Sequence, residues 1–334
     1  MSPPLAGASR VSPALAGAPS PAGLLEPLAI GALYLQKRLF MAPMAGITTP
    51  AFRRSVRRFG AGLVFTEMIS SAGILYGNRR TLEYLECGAD EHPIGFQLFG
   101  SGPAEMVRAA EACIQAGADL IDLNMACPVR KVVKTGAGAA LLAEPEAAAA
   151  IVRAVAAAAG EVPVTVKLRA GLRPGDGLGS AAAPRLVDAG ARAVCMHPRY
   201  ASQMYRGAAD HALTEQLCRA VPAPVIASGD VHGLADCERL LALGAAAVMV
   251  ARGALGRPWI FQEILEEALP GHDERLAEVR RFAAEAIASR GERAVGHLRQ
   301  FWPRFRRTEA ITKESCARLM AARTAAELAE LLAH

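Results

Sequence analysis

The chain has 334 residues, of which 52% are hydrophobic and 21% charged, and this composition excludes a wholly disordered protein. The 37 Lys and Arg outnumber the 32 Asp and Glu for a net charge of +5, which allows a polyanionic partner without requiring one. Seven scattered cysteines, with no CxxC pair and no Cys/His cluster, exclude a disulfide scaffold or zinc module and fit a reducing cytoplasm.

Met1 to Gly23 are rich in Pro, Ala, Gly and Ser and carry one charge, Arg10. They read as a disordered leader or an over-long start, not as a signal peptide. From Leu39 onward, apolar runs alternate with stretches of helical spacing. The runs are LFMAPM (39–44), GLVFTEM (62–68), PIGFQLF (93–99), DLIDLNM (119–125), PVTVKLR (163–169), AVCMHP (193–198), PVIASGD (224–230) and AAVMVAR (246–252). Continuous apolar character predicts parallel strands buried on both faces. Helices are predicted between them, for example over 51–59, 105–117, 145–159 and 236–244. Several of these end in Gly-Ala, a helix stop, at Gly117, Gly190 and Gly244. Eight such units over about 225 residues match an α/β (β/α)8 TIM barrel. An open doubly wound sheet is the alternative, but no GxGxxG follows the first strand. Beyond Pro258 only helices are predicted. The expected division is a leader over 1–23, a barrel over 24–262 and a small all-helical domain over 263–334. No run of about 18 apolar residues goes unbroken, so no membrane span is expected.

A barrel of this kind places its site at the C-terminal ends of the strands. Those ends carry Pro43-Met44-Ala45, Glu67, Gln97, Asn124, Cys127, Lys167, Arg169, His197, Arg199, Ser228-Gly229-Asp230 and Arg252. Polar groups are costly in a core, so their recurrence at one end of successive strands predicts a convergent site. The small residues of SGDVHG and ARGALG let backbone N–H groups approach a phosphate, with Arg252 adding a charged fork. Lys167, in the middle of an apolar run, needs an anionic neighbour. It can be a Schiff-base lysine, a cation facing an electron-rich cofactor, or a structural partner of Glu67. Cys127, directly before Pro128, can be a buried apolar group, a nucleophile or a proton donor.

The basic loop VRKVVKTGAGAAL (129–141) brings Arg130, Lys131 and Lys134 to the same mouth. In the tail Arg290, Arg293, Arg299, Arg304, Arg306 and Arg307 are interleaved with Phe301, Trp302 and Phe305. Basic residues among aromatics suit RNA, although the aromatics can equally be the small core of that domain.

The segment LNMACPVRKVVKTGAGAALL (123–142) closely resembles the active-cysteine segment of tRNA-dihydrouridine synthases. MAPMAGITTPAFR (41–53), EMISS (67–71), QLFGS (97–101), VKLRAG (166–171), MHPRYASQMYRG (196–207), SGDV (228–231) and GRPWIF (256–261) also resemble that family, in order, and lean toward its bacterial B-like branch. The resemblance implies reduction of uridines in tRNA to 5,6-dihydrouridine by FMN, with NADPH or NADH as reductant. FMN would be held by Pro43, Met44, Ala45, Gln97, Lys167, His197, Ser228, Gly229, Asp230, Ala251 and Arg252. Cys127 would be the general acid, and Asn124, Lys134 and Arg199 would meet the substrate. The helical domain would bind tRNA; no metal and no membrane are expected, and the chain is expected to work as a cytoplasmic monomer. Ala126, Pro198, Ser228 and Ala251 depart from the residues usual in the family but delete no chemical group. The alternatives are an FMN barrel acting on a free pyrimidine, an RNA-binding homologue without catalysis, and a flavin-free aldolase.

Overall fold

A computed structural model describes residues 20–266 and 268–333. Most of the expected leader, 1–19, lies outside these residues. Its last residues are placed: Ala22–Leu25 form a short helix whose Leu24 is buried.

The strands in chain order are β1 (Leu28–Ile30), β2 (Leu33–Leu35), β3 (Leu39–Met41), β4 (Val64–Phe65), β5 (Ile69–Ser70), β6 (Ile94–Phe99), β7 (Leu120–Met125), β8 (Val164–Gly171), β9 (Ala193–Tyr200), β10 (Val225–Ser228) and β11 (Ala247–Val250). Strands β3, β4 and β6 to β11 pair in parallel around a ring in the order β3-β11-β10-β9-β8-β7-β6-β4, and β5 extends the β4 unit along β6. The ring closes where Phe40 pairs with Leu63. This is the (β/α)8 barrel expected from the alternating pattern. The helix stops at Gly117, Gly190 and Gly244 all take positive φ, 99°, 116° and 95°, as helix-ending glycines do.

Two side-chain sets follow from the period of two along a strand. Leu39, Met41, Ile121, Leu123, Val164, Val166 and Leu168 face out into the helix layer, in the large outer core. Phe40, Phe65, Leu120, Ala193, Cys195, Ile226, Ala247 and Met249 fill the barrel interior as a separate cluster. A feature the sequence reading missed floors this interior. Strands β1 and β2 form an antiparallel hairpin around Gly31-Ala32, and its Ile30 and Leu35 join the interior cluster. With the lower end plugged by apolar groups, the polar interior positions are confined to the upper end.

The tail consists of helices His272–Arg290, Arg293–Leu298, Trp302–Arg307, Lys313–Ala321 and Ala325–Ala333. Phe282 packs edge-on against Phe301 and Phe305, at centroid distances of 4.9 and 5.8 Å. Phe52 from the barrel helix Pro50–Arg58 completes the cluster, 6.3 Å from Phe282 and 5.8 Å from Phe301. Phe301, Trp302 and Phe305 are therefore core and unavailable for stacking on RNA. Polar contacts reinforce this seam: Ser55 donates to Glu278 at 2.6 Å, and Arg58 pairs with Glu278 and Glu285 at 2.6 and 2.9 Å. Gly256, in the GRPWIF segment, lets the last barrel loop meet the tail, since a Cβ there would lie 2.6 Å from the Arg304 backbone. The tail is thus docked on the barrel through shared apolar burial.

Candidate active site

The C-terminal ends of the barrel strands enclose a cleft of about 420 Å3, within the size range of small-molecule sites. Pro43, Met44 and Ala45 line it from the loop after β3. Gln97 enters from β6, Asn124 and Cys127 from β7, and Lys167 from β8. His197 enters from β9, Ser228, Gly229 and Asp230 follow β10, and Ala251 and Arg252 follow β11. Thirteen of the fifteen predicted site residues therefore converge on one cavity. The other two do not reach it: Lys134 is exposed on the loop after β7, and Arg199 is buried behind the wall.

One wall is an ordered chain of hydrogen bonds. Asp122, 2% exposed on β7, accepts from Thr165 Oγ1 at 2.7 Å and from Gln97 Nε2 at 2.6 Å. Gln97 Oε1 then accepts from Asn124 Nδ2 at 2.8 Å, and Asn124 Oδ1 accepts from the Cys127 N–H at 2.8 Å. Because Asp122 in its ionised form can only accept, it sets the orientation of both amides. The chain of donors ends on the backbone of the cysteine. Burial pushes the Asp122 carboxyl up to about 6, against the hydrogen bonds from Gln97 and Thr165 and the positive charge of Lys167. Burial also raises the Cys127 thiol, outweighing a backbone hydrogen bond and the nearby Arg169, so the group is a protonated thiol at neutral pH.

The carboxylate that faces Lys167 is thus Asp122. Glu67, considered from sequence as its partner, instead accepts from the Gly46 N–H and lies 3.7 Å from Arg290 of the tail.

The opposite wall is built from charges. Arg199, 2% exposed, places Nη2 2.8 and 2.6 Å from the two Asp230 oxygens and donates to Gly207 O at 2.6 Å. Arg252 donates to Asp230 Oδ1 at 3.0 Å. Burial alone raises the Asp230 carboxyl, but Arg199, the Ala209 N–H and Arg252 together hold it below its ordinary range. A carboxylate does not itself hold an anion; Asp230 fixes the guanidinium groups around it. Arg199 Nη1 lies 3.2 Å from His197 Nε2, and since arginine cannot accept, Nε2 accepts and the proton sits on Nδ1. Burial, with Lys167, Arg169 and Arg199 nearby, pushes His197 down to about 2, so the imidazole is neutral. Gly229, at φ 113°, admits this ring: a Cβ would come 2.8 Å from His197 Cδ2.

Asp122 and Thr165 were absent from the predicted site, Arg169 was named there only among the strand ends without a role, and Tyr205 was absent. The first three share the inward parity of Asn124 and Lys167, a signal present in the sequence. Arg169 donates to Ala126 O at 2.8 Å, bracing the Cys127 segment. Tyr205 lies on an irregular loop; its ring sits 5.5 Å from the Arg169 guanidinium carbon and 5.4 Å from that of Arg252, and no periodicity announces it. Among the described residues no His/Cys/Asp/Glu group could hold a metal ion, and no helix is long and apolar enough to cross a membrane.

Comparison with known proteins places this geometry in context. The family model described as dihydrouridine synthase (Dus) matches residues 40–333. A probable tRNA-dihydrouridine synthase 1 of Synechocystis sp. is 38% identical over 287 residues, covering 85% of this chain and 78% of that protein. tRNA-dihydrouridine synthase B of Xanthomonas axonopodis pv. citri is 38% identical over 236 residues, 70% and 71% of the two chains. Among solved structures, morphinone reductase in complex with tetrahydroNAD superposes with a TM-score of 0.53 at 17% identity, covering 75% of this chain and 93% of that one. At that identity the likeness is one of fold.

Proposed function

The chain belongs to the dihydrouridine synthase family, and from that premise we propose that it reduces uridines of tRNA to 5,6-dihydrouridine, with FMN as cofactor and NADPH or NADH as reductant. The observation that carries this reading is a protonated thiol, Cys127, facing the same cleft as a buried cation, a neutral imidazole and a glycine-bearing cationic rim.

The residues present fit a flavin mononucleotide. Pro43, Met44 and Ala45 supply an apolar wall for a flat ring, and Gln97, Lys167 and His197 supply polar groups along it. Lys167 has Asp122 as its countercharge, so it suits a cation that holds a ring edge rather than a Schiff base. Ser228, Gly229, Ala251 and Arg252 form the rim suited to a phosphate, with Asp230 orienting Arg252. The chemistry supplied by bound FMN is hydride transfer to C6 of the uracil, renewed from NADPH or NADH.

The protein's own part is the proton. Reduction of the C5=C6 bond by hydride leaves negative charge at C5 and O4, and Cys127 Sγ–H donates its proton to C5. The chain from Asp122 through Gln97 and Asn124 holds the Cys127 backbone so that the thiol keeps its place. Asn124 lies beside the thiol where the base must enter. The exposed Lys134 is assigned to the RNA backbone, and Arg199 to support of Asp230 and His197. A base stacked in folded tRNA must leave its stack to reach the cleft, at a cost of a few kcal/mol. The helical tail, expected over 263–334, is assigned to holding the RNA while this happens. Such an enzyme works in the cytoplasm, where its substrate is.

The test adds NADPH, and separately NADH, to FMN-loaded protein without oxygen and then assays dihydrouridine in unmodified tRNA. Bleaching of the flavin band and formation of dihydrouridine are expected. A protein that takes up no flavin, or a reduced one that leaves tRNA unchanged, would overturn the reading.

A further inference from the structure

The segment that follows β5 carries Tyr76, which is 79% exposed. Its backbone is nonetheless fixed. Tyr76 N donates to Ala72 O at 3.0 Å, Asn78 N to Gly73 O at 2.8 Å, and Asn78 Oδ1 caps the next turn at Thr81 N. Strand β5 pairs with the upper end of β6, and Met68 just before it lines the cleft, so the segment that carries Tyr76 leaves the barrel at its upper end. Arg79 and Arg80 follow directly, both exposed, with Glu83 and Glu67 near enough to act on them electrostatically but not in an ion pair among the described residues. Across the seam the tail contributes Arg290, near Glu67, and Arg293, paired with Glu83 at 2.9 Å.

An aromatic ring held out in water on a fixed backbone, followed in sequence by two exposed guanidinium groups, has the form of a stacking platform for a nucleobase whose phosphates lie along the arginines. Only Leu82, 42% exposed, is another large apolar group open on this segment. That area is far too small for a stable protein interface. We propose that Tyr76 stacks on an unpaired base of the RNA substrate, with Arg79 and Arg80 on the adjoining phosphates. The proposal rests on the reading that the substrate is tRNA, and it assigns the RNA-stacking role to the barrel rim in place of the buried aromatics of the tail.

The experiment measures the dissociation constant of unmodified tRNA and the KM for dihydrouridine formation, using full-length FMN-loaded protein. Tyr76→Ala should weaken tRNA binding and raise KM about tenfold, with kcat at saturating tRNA and flavin reduction unchanged. Tyr76→Trp should restore both, which a loss of local folding would not do. Arg79→Ala combined with Arg80→Ala should lower the slope of log affinity against log salt by about two. A Tyr76→Ala protein that binds tRNA within twofold of the wild type overturns the proposal. If the wild type binds tRNA but forms no dihydrouridine, the proposed activity fails, and the binding constants still decide for or against the platform.

Discussion

The two walls of the cleft solve the problem of burying polar groups in opposite ways. On the β6–β7 side a single carboxylate, Asp122, is followed by two neutral amides, each with its donor and acceptor ends matched. On the β9–β11 side a single carboxylate, Asp230, is held between two guanidinium groups, Arg199 and Arg252. Neutral amides fix direction, because reversing one leaves two mismatched contacts. Charges fix less direction but leave an excess of positive potential, here one unit when the two arginines are set against Asp230. The first arrangement suits a proton that must arrive at one atom, and the second suits an anion that must be attracted.

The largest effect that would break this comparison is at the thiol. Cys127→Ala should lower dihydrouridine formation by about 10²–10⁴-fold, the usual range for a positioned acid, while FMN binding and NADPH-dependent bleaching persist. Single-turnover assays on the reduced protein measure this directly. Normal product would remove the acid from the β6–β7 wall altogether. With the wild type, the rate should stay level through neutrality and fall only above the ordinary thiol range, because burial raises the group.

Arg199→Ala comes next. It strips the closest partner from Asp230 and the donor from His197 Nε2, and removal of one member of a buried pair typically costs about 3–5 kcal/mol. Asp230 is 27% exposed and keeps Arg252, which places the expected loss at the lower end of that range. Denaturant unfolding measures it. A loss below about 1 kcal/mol would mean that charge pairing does not organise this wall.

Asp122→Asn probes the same question on the other wall through pH. The carboxyl sits at about 6 in the folded chain against an ordinary value of 3.8, so the folded state holds the proton more tightly than the unfolded one. Stability from this group is therefore greatest below about pH 4 and is lost as pH rises through 6, a swing of about 3 kcal/mol. The asparagine can still accept from Gln97 but cannot ionise. The difference in stability between wild type and variant, followed from pH 4 to 7, should shift by most of that amount, about 2 kcal/mol, in favour of the variant. A flat difference would show that Asp122 is ionised without cost.

The contrast between the walls also shows what could be read from the chain alone. The eight apolar runs and their polar C-terminal ends specified the barrel and brought thirteen site residues to one cavity. Parity along β7 and β8 carried more: Asp122 and Thr165 alternate with outward Leu123 and Val166 just as Asn124 and Lys167 do. Other features left no such mark. The floor hairpin is built from three-residue strands, too short for a periodic signal. Phe301, Trp302 and Phe305 have the same composition whether they stack on RNA or on Phe282, and only burial decides. Arg199 stands on the correct strand face, yet its role depends on Asp230, 31 positions away in sequence.

The smallest expected effect on stability is the sharpest test of the charged wall. Arg252 is 42% exposed and its contact with Asp230 is a surface ion pair, worth about 0–1 kcal/mol. Arg252→Ala should therefore unfold almost as the wild type does, with Asp230 still held by Arg199. Affinity is another matter, since a charge-assisted contact to a phosphate is about twice as strong as a neutral one. FMN should bind about tenfold more weakly to the variant, whereas riboflavin, which has the same ring and no phosphate, should bind equally to both proteins. Equal losses for the two flavins would place Arg252 against the ring, and with it the positive excess of this wall. No loss for either would leave the backbone N–H groups around Gly229 and Gly253 to carry the anion alone.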